Sequence, residues 1–176
     1  MLSMPTILQL TRKLTERPEP TKPDEIVLRH YSGPRDIETW LEVRRRAFAR
    51  QKVGIGNWTA ADFEREFLSK PWWRPEAMWL AESRRLMLPS VVVGTVTLAR
   101  RGDCPDAKPV VHWLAVVPSF RRRGLGRFLV STLEAAVWDA GGRQVWLETH
   151  SLWTEAQRLY ESMGYEPVDP SSPSGP

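Results

Sequence analysis

An apolar run that halts at a proline, crosses a basic turn holding two glycines and re-emerges as a patterned helix limits what this chain can fold into. It reads Val110-Val111-His112-Trp113-Leu114-Ala115-Val116-Val117-Pro118-Ser119-Phe120-Arg121-Arg122-Arg123-Gly124-Leu125-Gly126-Arg127. Beyond the turn, Leu125, Phe128, Leu129, Leu133, Ala136, Val137 and Ala140 repeat at the spacing of a core-facing helix, which Gly141-Gly142 ends. The pattern predicts a strand, a tight turn and a long helix. A helix that starts at Gly124 and Gly126 leaves several amides without intrahelical partners. They lie at the positive end of the helix dipole, where a phosphate group is stabilised. Arg121, Arg122, Arg123 and Arg127 add positive charge. The local chemistry therefore reads as a phosphate or pyrophosphate site.

At 176 residues the chain fits one domain, large enough to bury roughly 70% of its unfolded surface. A single cysteine, Cys104, excludes an internal disulfide, and its polar surroundings make it a loop thiol. Cys104, His30, His112 and His150 show no metal-ligand spacing, so no metal is expected. No run of 18 apolar residues is present, and the N-terminal residues are too polar for a secretory signal. These features point to a cytosolic protein that does not enter a membrane. A net charge of +4 is compatible with a polyanionic partner. Arginines also gather where phosphate cofactors bind, however, and nucleic acid is not the favoured reading.

The spacing Arg121-x-x-Gly124-x-Gly126 resembles the signature of the GNAT superfamily of acetyl-CoA-dependent N-acetyltransferases. Leu114-Ala115-Val116-x-Pro118 is similar to the family's preceding strand. Ala156-x-x-Leu159-Tyr160-x-x-x-Gly164-Tyr165 resembles its second motif. Three pieces in the right order and spacing make the resemblance specific over about residues 90–168, and loose over residues 26–89. It implies an α/β (α+β) fold of mixed, mostly antiparallel sheet with helices on both faces. A V-shaped splay is expected between the fourth and fifth strands, counted from residue 26.

In chain order, residues 1–24 are proline-dense and read as a flexible arm with a helical turn around residues 7–14. Residues 25–168 form the domain, and residues 169–176 have a disordered composition. Strands are expected at residues 26–31, 77–82, 91–98, 110–117 and 145–150. A helix follows Pro34, with Ile37, Trp40, Leu41, Ala47 and Phe48 on one side and Arg44-Arg45-Arg46 as a solvated face. Thr59 reads as the N-cap of a second short helix, and Thr154 and Gln157 have capping-box spacing. Trp58, Trp72 and Trp73 fit either a pocket wall or the edge of a core. The family usually adds a final strand that this sequence lacks. The edge so exposed predicts pairing with the N-terminal arm or with a second copy in a homodimer.

The resemblance also implies a reaction. Coenzyme A would enter the splay, with backbone groups of Ala115, Val116 and Val117 pairing with its pantetheine. Its pyrophosphate would rest on the turn through Arg121, Arg122, Arg123, Gly124, Leu125, Gly126 and Arg127. An amine acceptor, either a small molecule or a protein N-terminus or lysine, would attack the thioester directly in a ternary complex. Tyr160 stands where the family's tyrosine protonates the departing thiolate. Glu82, His112, Glu148 and His150 are strand-borne candidates for the base, alongside a water relay. Glu148 lies beside the splay, although a structural carboxylate serves equally at that position. Trp153 replaces an asparagine that many relatives use to contact the cofactor. An acyl-CoA-binding sensor or scaffold without turnover is the alternative.

Overall fold

The computed structural model describes residues 6–50, 56–84, 89–102 and 107–168. Its strands are β1 (Ile7–Lys13), β2 (Ile26–His30), β3 (Met78–Ser83), β4 (Val91–Arg101), β5 (Lys108–Val116), β6 (Gln144–His150) and β7 (Glu166–Pro167). The α-helices among the described residues are α1 (Arg35–Phe48), α2 (Ala60–Phe63), α3 (Leu125–Asp139) and α4 (Thr154–Ser162). The strands form one seven-stranded sheet in the order β2-β3-β4-β5-β6-β1-β7. Every neighbouring pair is antiparallel except β5 and β6.

Strand patterning shows where the core lies. In β6, Val145, Leu147 and Thr149 are buried while alternate residues are partly open, as expected of a strand with one covered face. In β4 both parities are buried from Val92 to Thr97, because helices cover both faces. One of these is α3, which packs close to the sheet at Gly94. A Cβ there would come within 3.3 Å of the Ala115 carbonyl oxygen and of Leu125 and Leu129. On α1, Trp40 is fully buried among Trp58, Phe63, Phe67 and Trp113. Burying one such large apolar side chain contributes about 1.5–3 kcal/mol.

Several sequence expectations are corrected. Residues 7–13 are not a flexible arm with a helical turn. Ile7 and Thr11 are β-branched residues that suit a strand, and β1 pairs with β6 from Ile7↔His150 to Lys13↔Gln144. This N-terminal strand fills the edge that the missing final strand would have left open. Arg12 ties it to Glu134 at 2.8 Å, and Leu14 donates its amide to the Arg143 carbonyl at 2.8 Å. Arg44 is not on a solvated face: it is 3% exposed, with its guanidinium 4.3 Å from the centre of a Trp58 ring. Nη1 donates to the Gly56 carbonyl at 3.1 Å, and the Trp58 and Trp113 rings supply attraction to the rest of the guanidinium. Gln157 makes no capping box with Thr154; its amide donates to the carbonyls of His150 and Ser151 instead. Thr59 does cap α2, with Asp62 accepting from the Thr59 amide at 2.8 Å. The Cys104 loop and residues 169–176 lie outside the described residues.

Candidate active site

β5 and β6 pair at only two positions, Val110↔Trp146 and Val111↔Leu147, and then part. The break begins where β5 bulges. Thr95 faces Ala115 and Thr97 faces His112, so Trp113 and Leu114 together oppose Val96. Trp113 takes a left-handed backbone (φ 49°), an uncommon conformation for a bulky residue. The bulge turns β5 away from β6 and opens a cleft of about 910 Å³. Ala115 and Val116 of β5, Thr149 of β6, and Trp153, Leu159 and Tyr160 after it are among its walls.

At the mouth, Gly124 is the N-cap of α3 at φ 79°, a conformation that a side chain disfavours. The first bond of the helix runs from the Phe128 amide to the Gly124 carbonyl at 2.9 Å. Residues 122–127 therefore present amides that have no backbone acceptor among the described residues. Each dipole-type contact to an anion there is worth about 0.3–1 kcal/mol. Gly124, Gly126, Arg122 and Arg127 line the cleft at this end.

The other residues of the turn play different parts. Arg121 lines the cleft but spends its donors internally, on the carbonyls of Val116 (3.1 Å) and Ala47 (2.5 Å) and on Glu155 (3.2 Å). It straps the turn to α1 and α4. Arg127 is partly engaged with Ser162 at 2.7 Å. Arg123 lies over the Phe120 ring and does not line the cleft. Leu125 is core, leaving only its backbone at the mouth. Val117 cannot offer its amide to a ligand, since it donates to the Val93 carbonyl at 2.9 Å.

Tyr160 lines the cleft and is 6% exposed, and burial pushes its hydroxyl pKa well up, which keeps it protonated. Glu148 also lines the cleft. Its carboxylate pairs with Arg101 at 2.5 Å and accepts from Gln9 at 3.2 Å. The bond from Arg101 holds its pKa below the usual carboxylate range. Of the other candidate bases, Glu82 is bound to Arg29 at 2.5 Å and lies outside the cleft. The His150 ring accepts from the Leu152 amide at 3.1 Å. His112 faces the cleft and bonds Glu66 at 2.9 Å. Trp58, Trp72 and Trp73 pack against the core and are not among the cleft's walls.

The model of the acetyltransferase (GNAT) family matches residues 37–165. The chain belongs to that family. Two similar relatives, both named mycothiol acetyltransferase, are known from Thermobispora bispora and Thermomonospora curvata. The first is 34% identical over 151 residues, covering 86% of this chain and 50% of the relative. The second is 32% identical over 167 residues, covering 94% and 53%. The chain thus spans about half the length of these relatives. The GCN5-related N-acetyltransferase from Sphaerobacter thermophilus superposes with a TM-score of 0.72 at 22% identity, over 92% of this chain and 48% of that one. An aminoglycoside N-acetyltransferase, AAC(6')-Iy, in complex with a bisubstrate analogue superposes with a TM-score of 0.58 at 18% identity, covering 82% and 92%. At these identities the two structures establish the GNAT fold.

Beside the residues expected from the family signature stand Trp153, which the sequence marked as replacing a cofactor-contacting asparagine, and several that the sequence did not single out. Thr149 Oγ1 and Trp153 Nε1 are buried without hydrogen-bond partners, and both residues line the cleft. Arg101, Arg158, Phe48 and Leu152 also line it. No short motif marks them, because they converge only when β4, α1 and α4 are packed around the GNAT splay.

Proposed function

We propose that the chain is an acetyl-CoA-dependent N-acetyltransferase that moves an acetyl group to a primary amine by direct attack in a ternary complex. The observation that carries this reading is the parted β5–β6 pair running from the unpartnered amides of residues 122–127 to the buried hydroxyl of Tyr160. The chain's residues suit the co-substrate. The amides at the mouth, with Arg122 and Arg127, receive the pyrophosphate. Val116 turns its backbone away from β4 and suits an extended arm that adds to β5 as a strand would, whereas Ala115, opposite Thr95, faces β4 as Val117 does. Thr149 Oγ1 and Trp153 Nε1, already desolvated and unpaired, suit the amides of that arm.

In the reaction, the amine nitrogen attacks the thioester carbonyl, a C–N bond forms and the C–S bond breaks. Tyr160 gives its proton to the departing thiolate. Its raised pKa keeps the proton available at neutral pH, and a positioned acid of this kind contributes about 10²–10⁴ in rate. Glu148, held ionised by Arg101, is a poor proton acceptor. Its negative charge serves to steady the incoming ammonium. The relatives named mycothiol acetyltransferase support acetyl transfer as the chemistry.

Free-thiol release from acetyl-CoA, followed across a panel of amines, tests the reading. Amine-dependent release is expected. Thermal stabilisation by acetyl-CoA with no release for any amine would instead favour a sensor or scaffold.

A further inference from the structure

On β5 the first residue past the last β5–β6 pair is His112, at the apex of the splay. Its ring lines the cleft, with the side chain 18% exposed. Nε2 lies 2.9 Å from Glu66 Oε1, and the same oxygen accepts from Trp113 Nε1 at 3.2 Å. Glu66 comes from a π-helical turn, Glu64–Leu68, that directly continues α2. Such turns are rare, and they often re-aim a side chain at functional sites. Here the turn keeps Phe67 in the core while Glu66 meets the His112 ring. Phe67 and Trp72 pack edge-on to that ring at 5.7 and 6.0 Å and fix its plane.

A carboxylate on Nε2 fixes the tautomer: Nε2 carries the hydrogen and Nδ1 carries the lone pair. Among the described residues Nδ1 has no hydrogen-bond partner. An amine acceptor arrives mainly as an ammonium and must lose a proton before it can attack. The geometry points to His112 as the group that takes this proton on Nδ1, with Glu66 as the positioning residue that orients the ring and balances the imidazolium. The inference rests on the acetyl-transfer reading above. The proton balance closes. The ammonium yields one proton to His112, which later returns it to solvent. After attack, the second amine proton leaves as the amide forms, and it restores Tyr160, whose own proton has gone to the thiolate.

Three other charged groups act on this pair. Glu148 on β6 interacts with His112 across the cleft, Arg101 on β4 offsets Glu148, and Lys70 sits near Glu66. Glu66 is the carboxylate in direct contact with the ring, so removing its charge should dominate any change in the pH dependence.

The experiment measures kcat/KM against pH for the wild-type chain, His112→Asn and Glu66→Gln. It uses glucosamine, spermidine and an alanyl peptide as acceptors, and measures acetyl-CoA affinity separately. His112→Asn is expected to lower kcat/KM by about 10²–10³ near neutral pH and to abolish the acid-side fall of the profile, with acetyl-CoA affinity kept. Glu66→Gln retains shape and an acceptor oxygen but loses the charge that favours the imidazolium. It should move the acid side of the profile to lower pH, which a purely structural carboxylate would not do. Wild-type-like rates and an unmoved profile in both variants would overturn the inference while leaving acetyl transfer intact. Absence of transfer by the wild-type chain to any of the three amines would overturn acetyl transfer and this inference together.

Discussion

Tyr160 and Asp36 show how burial and partners set what one side chain can do. Burial raises the Tyr160 pKa and no charge among the described residues reverses it, so the hydroxyl remains a donor across the pH range of an enzyme assay. Tyr160→Phe keeps the ring that packs on Tyr165 and removes only the proton. Turnover should fall by about 10²–10⁴ while acetyl-CoA affinity is unchanged, as read from thiol release and calorimetric titration. Unchanged turnover would remove Tyr160 from the reaction. Asp36 illustrates the opposite balance. Burial pushes its carboxyl up, but bonds from Arg29 (2.7 and 2.8 Å) and from the Ser32 amide (2.7 Å) outweigh it and hold the pKa below its ordinary value. A lowered pKa in the folded state means stability that is complete above about pH 4, the unfolded value, and is lost as pH falls through the folded one. Asp36→Asn should therefore cost about 1.5–3 kcal/mol at pH 7. The gap to wild type should narrow steadily below about pH 4, and paired thermal melts at pH 7 and pH 3 would show it.

Single residues account for less than the elements that carry them. The strand–turn–helix of β5 and α3 could be read from the sequence, because an apolar run, a proline, two glycines and a long helical repeat are all local signals. The capped start of α2 was readable for the same reason. The bulge in β5 was not, since it shows only when Thr95 and Thr97 are placed opposite β5. Nor was the π-helical turn that brings Glu66 to His112, for Glu66 differs in no local respect from a surface glutamate. The basic run on α1 misled because composition suggests solvent for Arg44, whereas helical geometry turns that position toward Trp58 and Trp113. At the head of α3, Gly124→Glu forces a side chain onto φ 79° and sets a negative charge beside the amides. Thermal stabilisation by acetyl-CoA, present in the wild-type chain, should be lost in this variant. Equal stabilisation of both would mean that the mouth of α3 does not hold the phosphates.

The sheet as a whole depends on an exchange of edge strands. Proline density before residue 24 suggested an arm, yet Ile7–Lys13 pairs along all of β6 and meets β7 at Leu10 and Thr11. Only the missing final strand hinted at this, and the sequence reading held a second copy of the chain as an equal candidate for that edge. Arg12 completes the seam through Glu134, a fully buried carboxylate on α3 that also accepts from the Tyr165 hydroxyl at 2.9 Å. Deleting residues 1–14 should strip the partner from β6, leave Glu134 without its arginine and expose a long strand edge. A lower melting temperature and concentration-dependent association in size-exclusion chromatography are expected. A monomer as stable as the full chain would show that β1 is dispensable.

The splay between β5 and β6 and the amides at the head of α3 have to act together, with one extended nucleotide thioester spanning both. Titrating coenzyme A into the isotopically labelled chain and following backbone amide resonances addresses this directly. Resonances of residues 122–127 and of Ala115 and Val116 should shift together and saturate at one equivalent. Saturable binding that moves other amides and leaves these in place would contradict it.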